Sequence, residues 1–327
     1  MKLLQKRKCI NGDLEKAYIM HVKTRKLALI EGVTAGILFG TGSILIRFLP
    51  ALDVFSIAFW RLTIACAVLA AIIFTFKMDT SFGFARKSLK HLTFLGFLLG
   101  LHFIFFISAV KDTTILNATV LVNTVPIFSV FISSFLFGLK PSRFALAGIV
   151  IALGGVCIIA YAEATVANVG SASNGVSSMK GDLEAVLAAL FEALYLSYGK
   201  RIREQSAILP AILPIYLFAA VTVAVLSPIG LGRLPRFPTE TFLILPLLCL
   251  GILPTAVAHT LQFSSLSNLK SFETATMALL EPIGATILGI ILFNEWPIPI
   301  FAAGTVLILA GIVFVSGGES RKLLRNR

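Results

Sequence analysis

Residues 125–155 read VPIFSVFISSFLFGLKPSRFALAGIVIALGG, and residues 281–311 read EPIGATILGIILFNEWPIPIFAAGTVLILAG. A single offset of 156 residues superimposes the two passages. The matched residues are Pro126 with Pro282, Pro141 with Pro297, Gly148 with Gly304 and Gly155 with Gly311. Apolar residues match easily by chance in such segments, whereas two prolines and two glycines at one offset do not. The chain therefore contains an internal repeat.

The composition indicates the environment in which this repeat folds. The chain has 327 residues, of which 57% are hydrophobic and 13% are charged. Soluble domains carry about 25% charged residues. A soluble protein of this composition would expose most of its apolar side chains to water, so the composition predicts a polytopic membrane protein.

Ten apolar segments have about the 20 residues that a helix needs to cross the hydrocarbon layer. They are 27–49, 54–76, 92–110, 115–138, 141–161, 182–202, 208–229, 240–262, 272–293 and 297–316. A linker rich in Gly, Ser and Asn, 162–181, separates a first half (27–161) from a second half (182–316). Five is an odd number of crossings, so the halves have opposite orientations. The prediction is an all-α fold of ten transmembrane helices in two inverted five-helix repeats, an architecture typical of transporters.

The net charge of +12 is distributed over loops and over the basic tails 1–26 and 317–327. When the ten spans alternate, most of the 28 Lys and Arg residues lie on the side of the N-terminus. The positive-inside rule then predicts a multi-pass protein of the plasma membrane with both termini in the cytoplasm. Charge spread in this way forms no single basic stripe, which excludes nucleic acid as a partner. The lipid bilayer is the expected partner, and the N-terminal tail is expected near anionic lipid.

Three passages resemble the EamA family of the drug/metabolite transporter superfamily. They are GILFGTGSILIRFLPALDVFSIAFWRL (36–62), AVKDTTILNATVLVNTVPIFSVFISSFLFGLKPS (109–142) and SSLSNLKSFETATMALLEPIGATILGIILFNEWP (264–297). The most specific element is Leu280-Glu281-Pro282 with Asn294-Glu295, and the pattern departs from the family at Lys140 and Phe39. The resemblance covers residues 27 to 316. It implies alternating access and a central cavity lined by helices one to four and six to nine. It also implies export or exchange of amino acids or similar amphipathic compounds.

Two carboxylates within apolar segments are the first candidates for substrate binding. A charged group at membrane depth costs about 2.5–3.5 kcal/mol on insertion scales, so it is a functional candidate by default. Glu281 precedes Pro282, which leaves a backbone carbonyl without its helical donor. Glu192 has Tyr195 and Tyr198 three and six residues further on, and these two hydroxyl-bearing rings are candidates for the same site. Either carboxyl could bind a cationic group or carry a coupling proton, and for each a structural role between helices is the alternative.

Other polar residues in the spans are weaker candidates. Arg61 could anchor an anion, and Asn123 could contact the substrate, although bonding between helices is an ordinary role for both. His102 lies among phenylalanines and could be a ligand or a packing residue, and His259 is interpreted as packing. Pro126 and Pro282 are expected to kink their helices and to act in gating.

The remaining patterns exclude several classes of function. No nucleophile, zinc-protease, nucleotide or dinucleotide motif is present in the sequence. The four cysteines are scattered without metal-ligand spacing, so no catalytic residues, metal or cofactor are expected. The prediction is a non-enzymatic secondary transporter of small organic metabolites. The alternatives left open are an integral membrane lipid-modifying enzyme and a receptor or scaffold, and a homodimer is also left open.

Overall fold

The computed structural model describes residues 24–77, 82–113, 115–170, 178–293 and 296–325. The helices are α1 (Arg25–Arg47), α2 (Val54–Thr75), α3 (Phe82–Lys87), α4 (Leu89–Asp112), α5 (Ile115–Val122), α6 (Val125–Phe137), α7 (Arg143–Gly170), α8 (Met179–Gln205), α9 (Ile208–Leu231), α10 (Thr241–Leu250), a π-helix (Gly251–His259), α11 (Thr260–Ser265), α12 (Ser271–Met277), a 3-10 turn (Ala278–Leu280), α13 (Glu281–Phe293) and α14 (Pro299–Arg325). The described part of the chain contains no β-strand.

Local sequence signals set the ends of several helices. The Thr24 hydroxyl accepts the backbone N–H of Leu27 at the start of α1. The Asp53 carboxylate accepts the N–H of Ser56 at the start of α2, over 2.9 Å. Both are N-caps, which satisfy donors that the first helical turn leaves open. At the ends of α6 and α9 the chain takes the left-handed conformation at glycine, with φ of 66° at both Gly138 and Gly232.

Nine helical stretches of the described residues are long and apolar enough to cross a membrane. The 27-residue α8 is also long, but it is much less apolar than these nine. Its charged residues are Lys180, Asp182, Glu184, Glu192, Lys200, Arg201, Arg203 and Glu204. Large apolar side chains on the outer faces are exposed, for example Phe135 at 83% and Val150 at 70%. The chain is therefore an all-helical polytopic membrane protein, as the composition predicts.

Both repeats break a span beside their matched proline. In the first repeat α5 ends at Val122, and α6 begins at Val125, next to Pro126. In the second repeat α12 gives way to the 3-10 turn, and α13 begins at Glu281, next to Pro282. Proline has no N–H to donate and its ring crowds the preceding turn, which explains a break at this place.

Two helices extend past the segments interpreted as spans. Helix α7 continues from the expected end at 161 to Gly170, and α14 continues beyond 316 to Arg325. The residues after 161 are AEATVANV, which include strong helix formers, and a Gly- and Ser-rich sequence follows them. Much of the first half of the expected linker is thus helical. The tail up to residue 23, the linker centre 171–177 and the Asn294-Glu295 pair lie outside the described residues.

The repeated glycines bring α7 and α14 together. These two helices pack along each other. A Cβ atom on Gly148 would lie 2.5 Å from the carbonyl oxygen of Gly311, and one on Gly155 would lie 2.6 Å from that of Gly304. Such contacts are shorter than a side chain tolerates. The glycines that reveal the repeat in the sequence are therefore the contact points of one helix pair.

A second set of glycine contacts joins the first helix, α1, to α12 and α13. A Cβ atom on Gly36 would lie 2.0 Å from the carbonyl oxygen of Met277. One on Gly284 would lie 1.9 Å from the carbonyl oxygen of Ile37. The backbone of α1 thus touches α12 at Gly36 and α13 at Gly284, which is possible because neither glycine has a side chain.

We expect Gly284→Ala to lower the thermal unfolding midpoint of the purified protein in detergent. The added methyl group meets the backbone of α1, and overpacking of this kind costs about 1–3 kcal/mol. The matched control is Gly154→Ala in α7, where a Cβ atom has no neighbour within 4 Å. The control should leave the midpoint unchanged or raise it slightly, since alanine favours the helix. Equal midpoints for the two variants would contradict the contact.

Candidate functional site

A small central cavity of about 50 Å³ lies between segments of both repeats. Helices α1, α2, α4 to α6, α8 and α11 to α13 line it, together with the π-helix, the 3-10 turn and the turn before α6. Helices α7 and α14 do not contribute. Its polar lining residues are Arg61, His102, Asn123, Glu192, His259, Gln262 and Glu281.

Most of the predicted site residues meet in this cavity. Arg61, His102, Asn123, Glu192 and Glu281, which are scattered over 220 residues of sequence, all line it, as does Pro126. These residues come from five different helical segments and one turn, so only the tertiary fold brings them together.

Three predicted residues lie elsewhere. Tyr195 is fully buried and stacks on Phe263, with ring centroids 5.6 Å apart. Tyr198 contacts the ring of Phe137 at 5.2 Å and does not line the cavity. Pro282 is buried and does not line the cavity. The helical spacing that relates the tyrosines to Glu192 does not determine which face of α8 turns toward the cavity.

Glu192 lies on α8 beside a histidine. It is 4% exposed, and its Oε2 atom is 3.8 Å from Nδ1 of His102. That Nδ1 atom lies 3.0 Å from the carbonyl oxygen of Ala188, to which it donates in the matching tautomer. The side-chain amide of Gln262 is close to the carboxylate but not at hydrogen-bonding geometry. Both carboxylate oxygens are thus buried without a hydrogen bond from any described residue.

Arg61 is held on two sides and open on a third. The residue is 2% exposed, and its Nε donates to the hydroxyl oxygen of Thr255 over 2.9 Å. Its guanidinium carbon lies 4.0 Å from the centre of the Phe103 ring, a cation–π contact. The Nη1 atom is buried without a hydrogen-bond partner among the described residues.

Glu281 and Asn123 complete the polar lining at the two proline breaks. Glu281 is 7% exposed, and the described residues provide no hydrogen bond to its side chain. The Nδ2 atom of Asn123 is likewise buried and unpartnered. An unpaired buried polar group costs about 1–3 kcal/mol, so native structures normally pair such groups with protein, water or ligand. Several in one cavity indicate a site for a polar ligand.

The rest of the cavity wall is apolar. Phe39, Phe103 and Phe106 contribute aromatic rings, and Val122 and Pro254 contribute aliphatic surface. A site with apolar walls and a few convergent polar groups is typical of small-molecule binding. The described residues contain no group of three or more His, Cys, Asp or Glu side chains that could hold a metal ion.

Gln262 and His259 belong to the lining, although Gln262 does not stand out in the sequence and His259 is interpreted there as packing. They lie three residues apart, where α11 follows the π-helix. A polar pair at this spacing shares one helix face, which is the one sequence signal available for them. The His259 ring also packs against Phe39, with centroids 4.7 Å apart, so packing is part of its role.

Buried ion pairs link helix ends at one end of the molecule. Arg25, at the start of α1, pairs with the fully buried Glu273 of α12 and also donates to the carbonyl oxygen of Ser316. Lys270 pairs with the fully buried Glu319 of α14. These contacts join α1, α12 and α14 at one end of the helix bundle.

Comparison with known proteins gives consistent matches. The model of the EamA-like transporter family matches residues 26–161 and 179–317. An uncharacterized transporter of Archaeoglobus fulgidus is 27% identical over 285 residues, covering 83% of this chain and 90% of the relative. The uncharacterized transporter YdfC of Bacillus subtilis is 26% identical over 234 residues, covering 70% and 71%. A crystal structure of a protein aligns with a TM-score of 0.72 at 20% identity, over 89% of this chain and 96% of that one, which concerns the fold alone.

Proposed function

The chain belongs to the EamA-like transporter family of the drug/metabolite transporter superfamily, and we propose that it is a secondary transporter of small amphipathic metabolites such as amino acids. The substrate binds in the central cavity and crosses the membrane by alternating access, in the direction of export or in exchange. The protein acts in the plasma membrane and has no enzymatic activity.

The observation that carries this proposal is the chemistry of the cavity. It combines a guanidinium group, two carboxyl groups and an unpartnered amide with walls of phenylalanine. A cationic group of the substrate would bind at Glu192 or Glu281, and Asn123 would contact its polar part. The apolar body would pack on Phe39 and Phe106. This pattern fits a small molecule with charged and apolar parts better than a sugar or a hydrocarbon.

Alternating access would need the helices joined by the buried ion pairs to separate. Movement of α1 away from α12 requires Arg25 to leave Glu273, and movement of α14 away from the start of α12 requires Lys270 to leave Glu319. A buried pair has two discrete arrangements, joined or separated, which suits a switch between two states. The breaks beside Pro126 and Pro282 divide two of the cavity-lining spans, so that each half can tilt separately.

A lipid-modifying enzyme is the weaker alternative. It would need His, Asp or Ser side chains clustered where lipid headgroups lie. The described histidines of the cavity, His102 and His259, are instead enclosed between helices with ring centroids 6.0 Å apart. A receptor or scaffold would bind ligand without moving it, which a flux measurement distinguishes.

We expect proteoliposomes containing the protein to show saturable flux of L-leucine above empty liposomes. Glu192→Gln should reduce this flux by about ten-fold, because a charge-assisted contact is worth about 1.5–3 kcal/mol. The matched control is Glu204→Gln on the same helix, where the side chain is 52% exposed and pairs with Lys200. The control should transport at the rate of the unmodified chain. Absence of flux for L-leucine, L-lysine and L-glutamate alike would overturn the proposal, as would equal losses in both variants.

The proposed topology has ten spans in two inverted repeats, with both termini in the cytoplasm. In a cysteine-free variant, Lys87→Cys should react with a membrane-impermeant maleimide only from the cytoplasm, and Arg236→Cys only from outside. Both positions are exposed and lie at opposite ends of the predicted spans. Labelling of both from the same side would refute the inverted arrangement.

We also propose that a carboxyl group of the cavity, Glu192 or Glu281, couples transport to protons. An imposed pH gradient of one unit should then change the initial rate of L-leucine flux several-fold, and an uncoupler should abolish the difference. In the variant that lacks the coupling carboxyl, Glu192→Gln or Glu281→Gln, exchange should persist while the response to the gradient is lost. Equal rates with and without the gradient would exclude proton coupling.

A further inference from the structure

We infer that Arg61 binds a carboxylate of the substrate and that Thr255 and Tyr216 are the residues that position it. The inference rests on the proposed function, since it names the chemical class that the same cavity accepts. It assigns roles to two residues that do not stand out in the sequence and that both lie outside the cavity lining.

The hydrogen bonds around Thr255 have a fixed direction. Its hydroxyl donates to the carbonyl oxygen of Leu250 over 2.7 Å. A hydroxyl has one proton, so its lone pairs are left to accept from Nε of Arg61 at 2.9 Å. Thr255 is therefore a directional acceptor that determines how the guanidinium is turned.

Tyr216 holds Thr255 from the other side. The tyrosine is fully buried on α9, and its hydroxyl donates to the carbonyl oxygen of Thr255 over 2.9 Å. The same hydroxyl lies 3.0 Å from Oγ1 of Thr260. Because the π-helix departs from regular α-helical bonding, the Thr255 carbonyl is placed to accept from a side chain. A chain of contacts thus runs from Tyr216 through Thr255 to Arg61.

The π-helix also sets the distance to α2. A Cβ atom on Gly251 would lie 2.6 Å from Cβ of Ile64 and 3.2 Å from the carbonyl oxygen of Arg61. The two backbones are thus as close as glycine permits, which brings Thr255 within hydrogen-bonding distance of the arginine. Irregular π-helical turns are frequent at functional sites, and here the turn orients a charged side chain.

The buried positive charge of Arg61 has no negatively charged partner in the part of the chain that the structure describes, so an anionic ligand would stabilise it. No carboxylate among the described residues forms an ion pair with it, although Glu192 and Glu281 line the same cavity. A buried charge without a counterion is unfavourable by several kcal/mol. Thr255 occupies Nε, so the donors left for a ligand are those of the two Nη atoms. Such a planar fork matches a carboxylate in geometry and charge.

A carboxylate suits the site better than a phosphate. Arg61 is the one permanently charged cation among the described cavity residues. A phosphate ester carries nearly two charges at neutral pH and would leave one of them unbalanced. A carboxylate carries a single charge, which the guanidinium balances.

The test is calorimetric titration of the purified full-length protein in detergent with probes that share one skeleton. They are L-leucine, 4-methylpentanoate, which lacks the amine, and 3-methylbutylamine, which lacks the carboxylate. We expect the unmodified protein to bind the two carboxylates. Thr255→Val should weaken both by about ten-fold, which corresponds to about 1.4 kcal/mol. Thr255→Ser should restore affinity to within about two-fold, while any affinity for the amine stays unchanged in all variants.

Tyr216→Phe is a second variant that removes only the hydroxyl holding Thr255. It should weaken carboxylate binding in the same direction as Thr255→Val but less. A merely structural role would lower the affinities for carboxylate and amine together, and the unfolding midpoints of all variants check that the fold persists. Methyl phosphate, added as a fourth probe, should bind more weakly than 4-methylpentanoate.

Three results would overturn the inference. They are undiminished carboxylate binding in Thr255→Val, binding of the amine in preference to both carboxylates, and failure of the unmodified protein to bind any carboxylate probe. Failure of the proposed function is a different result. In that case carboxylate binding would depend on Thr255 as expected, while liposomes showed no flux of any probe.

Discussion

The direct contact between the backbones of α1 and α13 is the constraint on which the cavity depends. A Cβ atom at Gly284 would lie 1.9 Å from the carbonyl oxygen of Ile37, so no side chain separates the helices. This contact brings α1 against the broken span that contains Pro282. Phe39 and Glu281, which belong to opposite ends of the chain, therefore face the same space. In a bilayer, where helices gain little from apolar burial against one another, close packing of this kind has to hold the bundle.

The sequence alone predicts much of the fold and some, but not all, of the residues of the candidate site. The bilayer penalises every polar group, so charged residues within apolar segments are conspicuous, and Arg61, Glu192 and Glu281 are found from that alone. The glycine pairs of α7 and α14 follow from the repeat. Tyr195 is different. Its helical spacing from Glu192 suggests that both residues share one face of α8, but in the folded protein its ring stacks on Phe263.

Three other features of the structure cannot be recognised from a single sequence: the role of Thr255, the π-helix and the length of α7. A threonine within an apolar helix usually bonds to its own backbone, so Thr255 looks ordinary until the structure places Arg61 beside it. The π-helix gives no compositional sign, because tertiary contacts decide whether a turn takes one more residue. The extension of α7 to Gly170 is also hard to predict, because residues 162–169 include strong helix formers while the Gly- and Ser-rich sequence after them favours a loop. In the structure the helix continues up to Gly170.

The two repeats share the prolines that break a span and the glycines at helix contacts, but they do not share their polar side chains. At the offset that superimposes the prolines, Glu281 falls on Val125 and Asn123 falls on Leu279. Two similar broken spans would allow the two repeats to move in similar ways when the cavity opens to either side of the membrane. An unsymmetrical set of charges suits a substrate that has two different ends. Under the proposed mechanism, the bundle rocks as a nearly symmetrical scaffold while the substrate keeps one orientation, with its carboxylate on the arginine that Thr255 holds. Under this proposal, the repeat would account for the movement, and the departures from the repeat would account for the selectivity.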